Sequence, residues 1–203
     1  MRHPFERLGE TIWLSRLPAL KPIVIAPGCR IAVVGNGPVQ DIGSDLINSH
    51  DLVVRFNTCR SYRGGARTDI IVLVSGGVHG RRFARNCGHI PLECLAQARE
   101  FWLTPRPGMR SYREEIVRRR IGRRPWRYIS DEGHRLALRM LRTNGAGESC
   151  RPSSGLLALC HIRAAFPPVR VTLFGFSHEG TGTHAWNVER TIVDNWSDWI
   201  ARA

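Results

Sequence analysis

The sequence predicts a single α/β domain with a Rossmann-like, mostly parallel sheet flanked by helices, and three observations predict it. Short apolar runs rich in β-branched residues recur at 30–34, 51–57 and 69–74, the composition of strands buried on both faces. Stretches with helical character separate the strand-like runs, which is the order of parallel strands joined by crossovers. The 203 residues fit one such domain, and no shift in composition marks a seam.

Residues 1–28 form a lead-in with several prolines, in which 23–25 is a candidate edge strand. The first strong strand ends abruptly in Gly35-Asn36-Gly37-Pro38. A weak helical stretch over 41–49 leads into the second strand, and 69–74 supplies the third. Between 76 and 147, helices over 91–100, 111–120 and 131–142 alternate with strands over 101–104 and 126–129. Ser130-Asp131 ahead of Leu136, Leu138 and Leu141 is the clearest helix start among them. A helix over 153–165 precedes a strand over 169–174. Val188, Ile192, Trp196, Trp199 and Ile200, three and four apart, predict a last helix with one face on the core. That spacing makes its tryptophans packing residues.

The formal charge is +13, and every basic residue except Lys21 is arginine. A field of that sign favours polyanionic partners, but one-sided use of arginine points to codon bias as much as to binding. The densest cluster, Arg118-Arg119-Arg120 with Arg123 and Arg124, reads either as a solvated helix face or as a patch for an acceptor or an anionic membrane. Six cysteines without a CxxC pair exclude a zinc knuckle or a disulfide framework and fit the thiols of a reducing cytosol. The N-terminal region carries charges and no long apolar run, so a cytoplasmic protein is expected.

Three segments carry candidate chemistry. Glycines directly after a first strand let backbone N–H groups approach a phosphate, which makes Gly35, Asn36 and Gly37 a nucleotide-site candidate. The third glycine of a dinucleotide fingerprint is missing, and the second strand ends in Arg55-Phe56-Asn57 rather than in an acid for a ribose diol. Asn36 is equally readable as a turn residue. Arg151-Pro152-Ser153-Ser154-Gly155 opens a helix with hydroxyls and free N–H groups, the setting for a phosphate or carboxylate, or simply a helix cap. His178 and His184 lie in a glycine-rich loop past the 169–174 strand, where open α/β sheets place ligands. One ring can take a proton while the other steadies a departing anion. Glu189 can orient His184 or cap the last helix. No zinc spacing and no Asp-x-Asp pair is present, so no metal cofactor is expected.

Together these segments resemble the sialylmotifs of the family 29 sialyltransferases, in order. Residues 30–74, with the quoted Asn36 and Asn57, resemble the large motif, and 151–176 the small one. Across 178–189, His178-Glu179 falls at the short third motif, and His184 with Glu189 has the His-x4-Glu spacing of the very small motif. The resemblance implies a GT-A-like sheet and a metal-independent, inverting transferase that moves sialic acid or a related keto-sugar such as Kdo. It further implies a CMP-sugar donor and a glycan or lipid-linked glycan acceptor. The arginines suggest a peripheral contact with an anionic membrane, and with no recognition motif or aromatic platform no nucleic-acid partner is expected. Carried over by residue, Asn36 and Asn57 would contact the nucleotide, with Gly35 and Gly37 in the same turn. Ser153, Ser154 and Gly155 would line the CMP site, His184 would be the base and His178 would assist the leaving phosphate. The family's animal members pair two cysteines across these motifs, and Pro168 stands about where the second is expected. A nucleotide-binding relative without catalysis and a basic nucleic-acid-binding module are the competing readings.

Overall fold

In a computed structural model of the chain, the described residues are 18–39, 44–104, 112–180 and 184–203. The expected lead-in up to residue 17, the beginning of the 41–49 stretch, residue 111 and the loop residues 181–183 lie outside them.

Seven strands, β1 (Arg30–Val34), β2 (Leu52–Phe56), β3 (Ile70–Val74), β4 (Glu100–Thr104), β5 (Trp126–Tyr128), β6 (Arg170–Phe174) and β7 (Ile200–Arg202), form one sheet. Its order is β5-β4-β3-β2-β1-β6-β7, and every neighbouring pair is parallel. The continuous apolar runs follow from this architecture, because alternate residues enter cores on opposite faces. Val33, Val54, Val72 and Trp102 face one core, while Ile71, Leu73, Phe101 and Leu103 face another. Helices α1 (Ser44–Asn48), α2 (Gly77–Asn86), α3 (Leu92–Gln97) and α4 (Tyr112–Ile121) cover one side through Ile47, Phe83, Leu95, Val117 and Ile121. Helices α5 (Asp131–Thr143), α6 (Ser154–Ala165) and α7 (Trp186–Asp194) cover the other through Ala137, Leu141, Leu156 and Ile192. The domain is thus a three-layer, Rossmann-like α/β fold.

The chain winds outward from β1 to β5 and then returns to place β6 on the far side of β1. Direction reverses at β1, and the crevice at the carboxyl ends of the strands there is where open parallel sheets expose backbone groups to ligands.

Three elements differ from expectation. Ile23 and Ile25 are buried, but this segment makes no ladder; the Ile23 amide donates instead to the carboxylate of Glu100, 2.7 Å away. Helix α2 occupies a stretch whose glycines and arginines hid it. The last helix stops at Asp194, and the remaining tail turns to add β7 to the sheet edge. Trp196 and Trp199 still pack into the core, under the guanidinium of Arg163 at 5.3 and 5.7 Å from their rings. Turn-forming Asn195, Ser197 and Asp198 outweigh the helical spacing.

The basic cluster is largely occupied by the fold. Arg118 lies 4.6 Å over the Trp126 ring, Glu115 pairs with Arg118 and Arg119, and buried Arg124 donates to the Ala96 carbonyl. Among the described residues, no helix is long and apolar enough to cross a membrane.

Candidate functional site at the carboxyl edge

The glycine turn after β1 is closed by the end of β6. The Gly35 amide donates to Phe174 O at 2.7 Å and the Gly37 amide to Gly175 O at 3.1 Å. A Cβ on Gly35 would stand 2.4 Å from Gly175 O, and one on Gly37 2.6 Å from the same atom. Both glycines are therefore required by backbone approach between two strands, and their amides are committed there. Asn36 is likewise engaged: its Nδ2 donates to Phe56 O at 3.2 Å, and its Oδ1 accepts from the Arg60 amide at 2.8 Å. It ties the end of β1 to the end of β2.

Asn57, immediately after β2, has φ 49°, a left-handed conformation that asparagine tolerates better than most residues. Its Oδ1 accepts from the Val74 amide and its Nδ2 donates to Ser154 Oγ at 3.3 Å. Because Ser154 Oγ accepts that bond, its own O–H is left to donate outward. Ser153 caps α6, with Oγ accepting from the Leu156 amide. Gly155 is explained by packing, since a Cβ there would be 2.8 Å from the Phe176 ring. The amides of Ser154 and Gly155, in a first helical turn that offers no intrahelical acceptor, meet no partner among the described residues.

Glu189 in α7 is 1% exposed and reaches across to this helix start. Its carboxylate accepts the Ser153 amide at 2.8 Å and the Ser153 hydroxyl at 2.5 Å. Burial pushes its pKa up, against the lowering effects of those two bonds and of nearby His184. The acid thus serves the cap of α6, rather than the cap of its own helix.

His184 is held by Arg151 O, 2.8 Å from Nδ1. A carbonyl can only accept, so Nδ1 carries the proton and Nε2 is left as the acceptor of the neutral ring. The ring lies edge-on to Trp186 at 4.9 Å. With His178, Glu179, Trp186, Arg190 and Thr191 it lines a cleft of about 690 Å³. His178 shares that cleft but faces the sheet edge, with Nε2 3.1 Å from Arg202. An arginine only donates, so Nε2 accepts. Burial first, then the charges of Arg202 and Arg190, lower its pKa to about 4. At neutral pH this ring can offer a donated N–H but no positive charge.

Two residues that the sequence did not single out join the site. His79, in the first turn of α2, and Arg82, one turn on, border a small recess of about 10 Å³ with Asn57 and Thr58. The His79 pKa is lowered by loss of water around the ring, then by the charges of Arg82 and His184. Arg82 and two imidazoles therefore gather where α2 and α6 start, and the one buried acid nearby is already engaged with Ser153. Such a surface suits an anion. Among the described residues, no cluster of three or more His, Cys, Asp or Glu side chains is arranged to hold a metal ion.

No protein-family model matches the chain. It is 30% identical over 190 residues to the urease operon 23 kDa accessory protein of Rhizobium meliloti (strain 1021), a match covering 82% of this chain and 88% of that protein. This finding corrects the sialylmotif reading. Membership of the family 29 sialyltransferases, the glycosyltransferase activity, the CMP-sugar donor and the glycan acceptor are all set aside, as are the nucleotide-binding-relative and nucleic-acid readings. The physical reason lies in the motif residues themselves. Gly35, Gly37, Asn36, Ser153 and Gly155 each take part in strand ends, a cap or ring packing in this parallel fold, so their order alone does not establish a reaction. Identity that runs along most of both chains outweighs such islands, and the chain belongs to the family of the urease operon 23 kDa accessory protein.

Proposed function

We propose that this chain acts as an accessory protein for urease, and that it does so by taking a small phosphate- or carboxylate-bearing ligand at the carboxyl edge of its sheet. The accessory role is supported by the identity with the Rhizobium protein. One observation carries the ligand class: the Ser154 hydroxyl, the first-turn amides of α6, His79 and Arg82 come together where the one buried acid nearby, Glu189, is engaged by Ser153. Helix starts and cationic side chains stabilise an anion by direct hydrogen bonding and by charge.

The experiment removes the gene from its host and measures urease activity against the amount of urease protein. Loss of activity at unchanged protein level, restored by the wild-type gene and less well by Ser154→Ala with Arg82→Gln, is the expected result. Full urease activity without the gene would overturn the accessory role. Full restoration by the folded double variant would overturn the role of this site.

A further inference from the structure

Helix α2 turns toward solvent a row of arginines that the packing of the fold does not use. Its inner side is set by Phe83, 2% exposed, and by buried Gly80. Val78, Arg81, Arg82 and Arg85 follow one another three and four apart, so they share the outer side, and all four are exposed. Among the described residues, none of these guanidiniums is in an ion pair.

The surrounding acids are spoken for. Between Leu52 and Leu92 the one acid is Asp69, which is 4% exposed and paired with Arg67 and Arg99. Glu93 accepts from the Tyr62 hydroxyl at 3.1 Å, and Glu115 pairs with Arg118 and Arg119. The helix gains little from its own charges. Arg85, in the last turn, complements the dipole, but Arg81 lies closer to the positive end and repels Arg85 four residues on. The cluster over 118–124 differs, because there rings, acids and carbonyls hold Arg118, Arg119 and Arg124.

The loop over 57–66 widens the surface. Thr58 borders the same recess as His79 and Arg82, and Cys59 and Tyr62 pack in one core with Phe83 and Cys87. Arg60 and Arg63 on this loop are exposed and, among the described residues, likewise in no ion pair.

We propose that this face of α2, together with the 57–66 loop, docks an acidic, extended segment of a partner protein. Guanidinium forks match carboxylates two bonds at a time, and arginine is enriched in protein interfaces. The rise from Arg81 to Arg85 is about 6 Å, close to the roughly 6.6 Å between alternate residues of an extended chain. Val78, 49% exposed at the end of the row, gives the segment one apolar contact. The aromatic rings of this region, Tyr62 and Phe83, are buried, so no platform for stacking bases faces out. A single valine is too little apolar surface for a helix to settle into a bilayer. Arg81 and Arg85 take no part in the anion site, so the proposal stands whether or not the chain serves urease.

The test measures binding of the full chain to a fluorescent poly-glutamate peptide. Two variants with the same change in charge are compared: Arg81→Glu with Arg85→Glu on α2, and Arg135→Glu with Arg139→Glu at exposed positions of α5, on the other side of the sheet. Long-range attraction falls equally in both, so the difference between them reports contact. The α2 variant should bind about tenfold more weakly or worse, and the α5 variant should stay within about threefold of wild type. Equal weakening would overturn the proposal. So would an α2 variant that loses more affinity for duplex DNA, or for vesicles of phosphatidylserine, than for the peptide. If the α2 variant does not fold, amide shifts of the wild-type chain on adding the peptide decide: the largest changes over 78–85 support the docking face, and changes centred on 131–143 or spread evenly contradict it.

Discussion

The carboxyl edge of the sheet has two halves that look alike in sequence and differ in space. Around β1 and β6, the glycine turn is shut by backbone: two amides and two missing Cβ atoms are consumed by Phe174 and Gly175. Around β2 and α6, the Ser154 hydroxyl is held by Asn57 yet keeps its own O–H to donate, and the first-turn amides of α6 meet no partner among the described residues. Glycine after a strand signals close approach of something, and here that something is the protein itself. Whether a polar group is engaged by the fold or only positioned by it separates scaffold from candidate site.

The comparison breaks first at Gly35. Gly35→Ala drives a methyl into Gly175 O with no flexible side chain to yield, and overpacking of this kind costs about 3 kcal/mol. Urea unfolding should show the midpoint falling sharply; a change within error would mean the closed half is not closed. Glu189→Ala comes next, because it strands the Ser153 amide and hydroxyl in a buried position, a loss of about 2 kcal/mol. Calorimetry checks this, and a neutral outcome would remove Glu189 from the support of the α6 start. On the open half, Ser154→Ala should cost less than about 1 kcal/mol, since Asn57 loses one long hydrogen bond. It should nevertheless weaken support of urease in the complementation assay, a split between stability and function that the closed half cannot produce.

A pH series sharpens the same contrast. His161 and His178 both have pKa values lowered to about 4, first by burial and then by neighbouring arginines. The unfolded chain takes up protons near the ordinary value of 6.5 while the folded rings remain neutral. Stability is therefore fully present above pH 6.5 and is lost as pH falls toward about 4. His178→Asn, which keeps an acceptor for Arg202 and tolerates the left-handed backbone at this position, should flatten part of that slope in thermal unfolding curves. An unchanged slope would show that the ring is not held neutral.

Much of the fold was legible because each central strand is a short, β-branched run between turn-formers. Arg30–Val34 could be read to the residue. β7 could not, for three residues carry no periodicity, and the spacing of Trp196 and Trp199 imitates a helix. Helix α2 escaped because Gly76, Gly77 and Gly80 interrupt its pattern; Gly80 is needed where a Cβ would meet Ser75 O at 2.1 Å. The candidate site was legible in part. Asn57, Ser153, Ser154 and His184 were named from local chemistry, and the structure brings them to one edge. His79 and Arg82 were missed with the helix that carries them. The family resemblance rested on short islands of motif, and an identity that runs along most of both chains overturns it.

The central claim is that the open half of the edge accepts an anion between α2, α6 and α7, and His79 reports on it most directly. Its pKa is held below the ordinary value by loss of water around the ring and then by the charge of Arg82, and nuclear magnetic resonance of histidine-labelled protein follows it. Adding inorganic phosphate should raise the His79 pKa and leave His134, lowered by burial on helix α5, where it was. A His79 titration that phosphate does not move, or that moves no more than that of His134, would contradict the account.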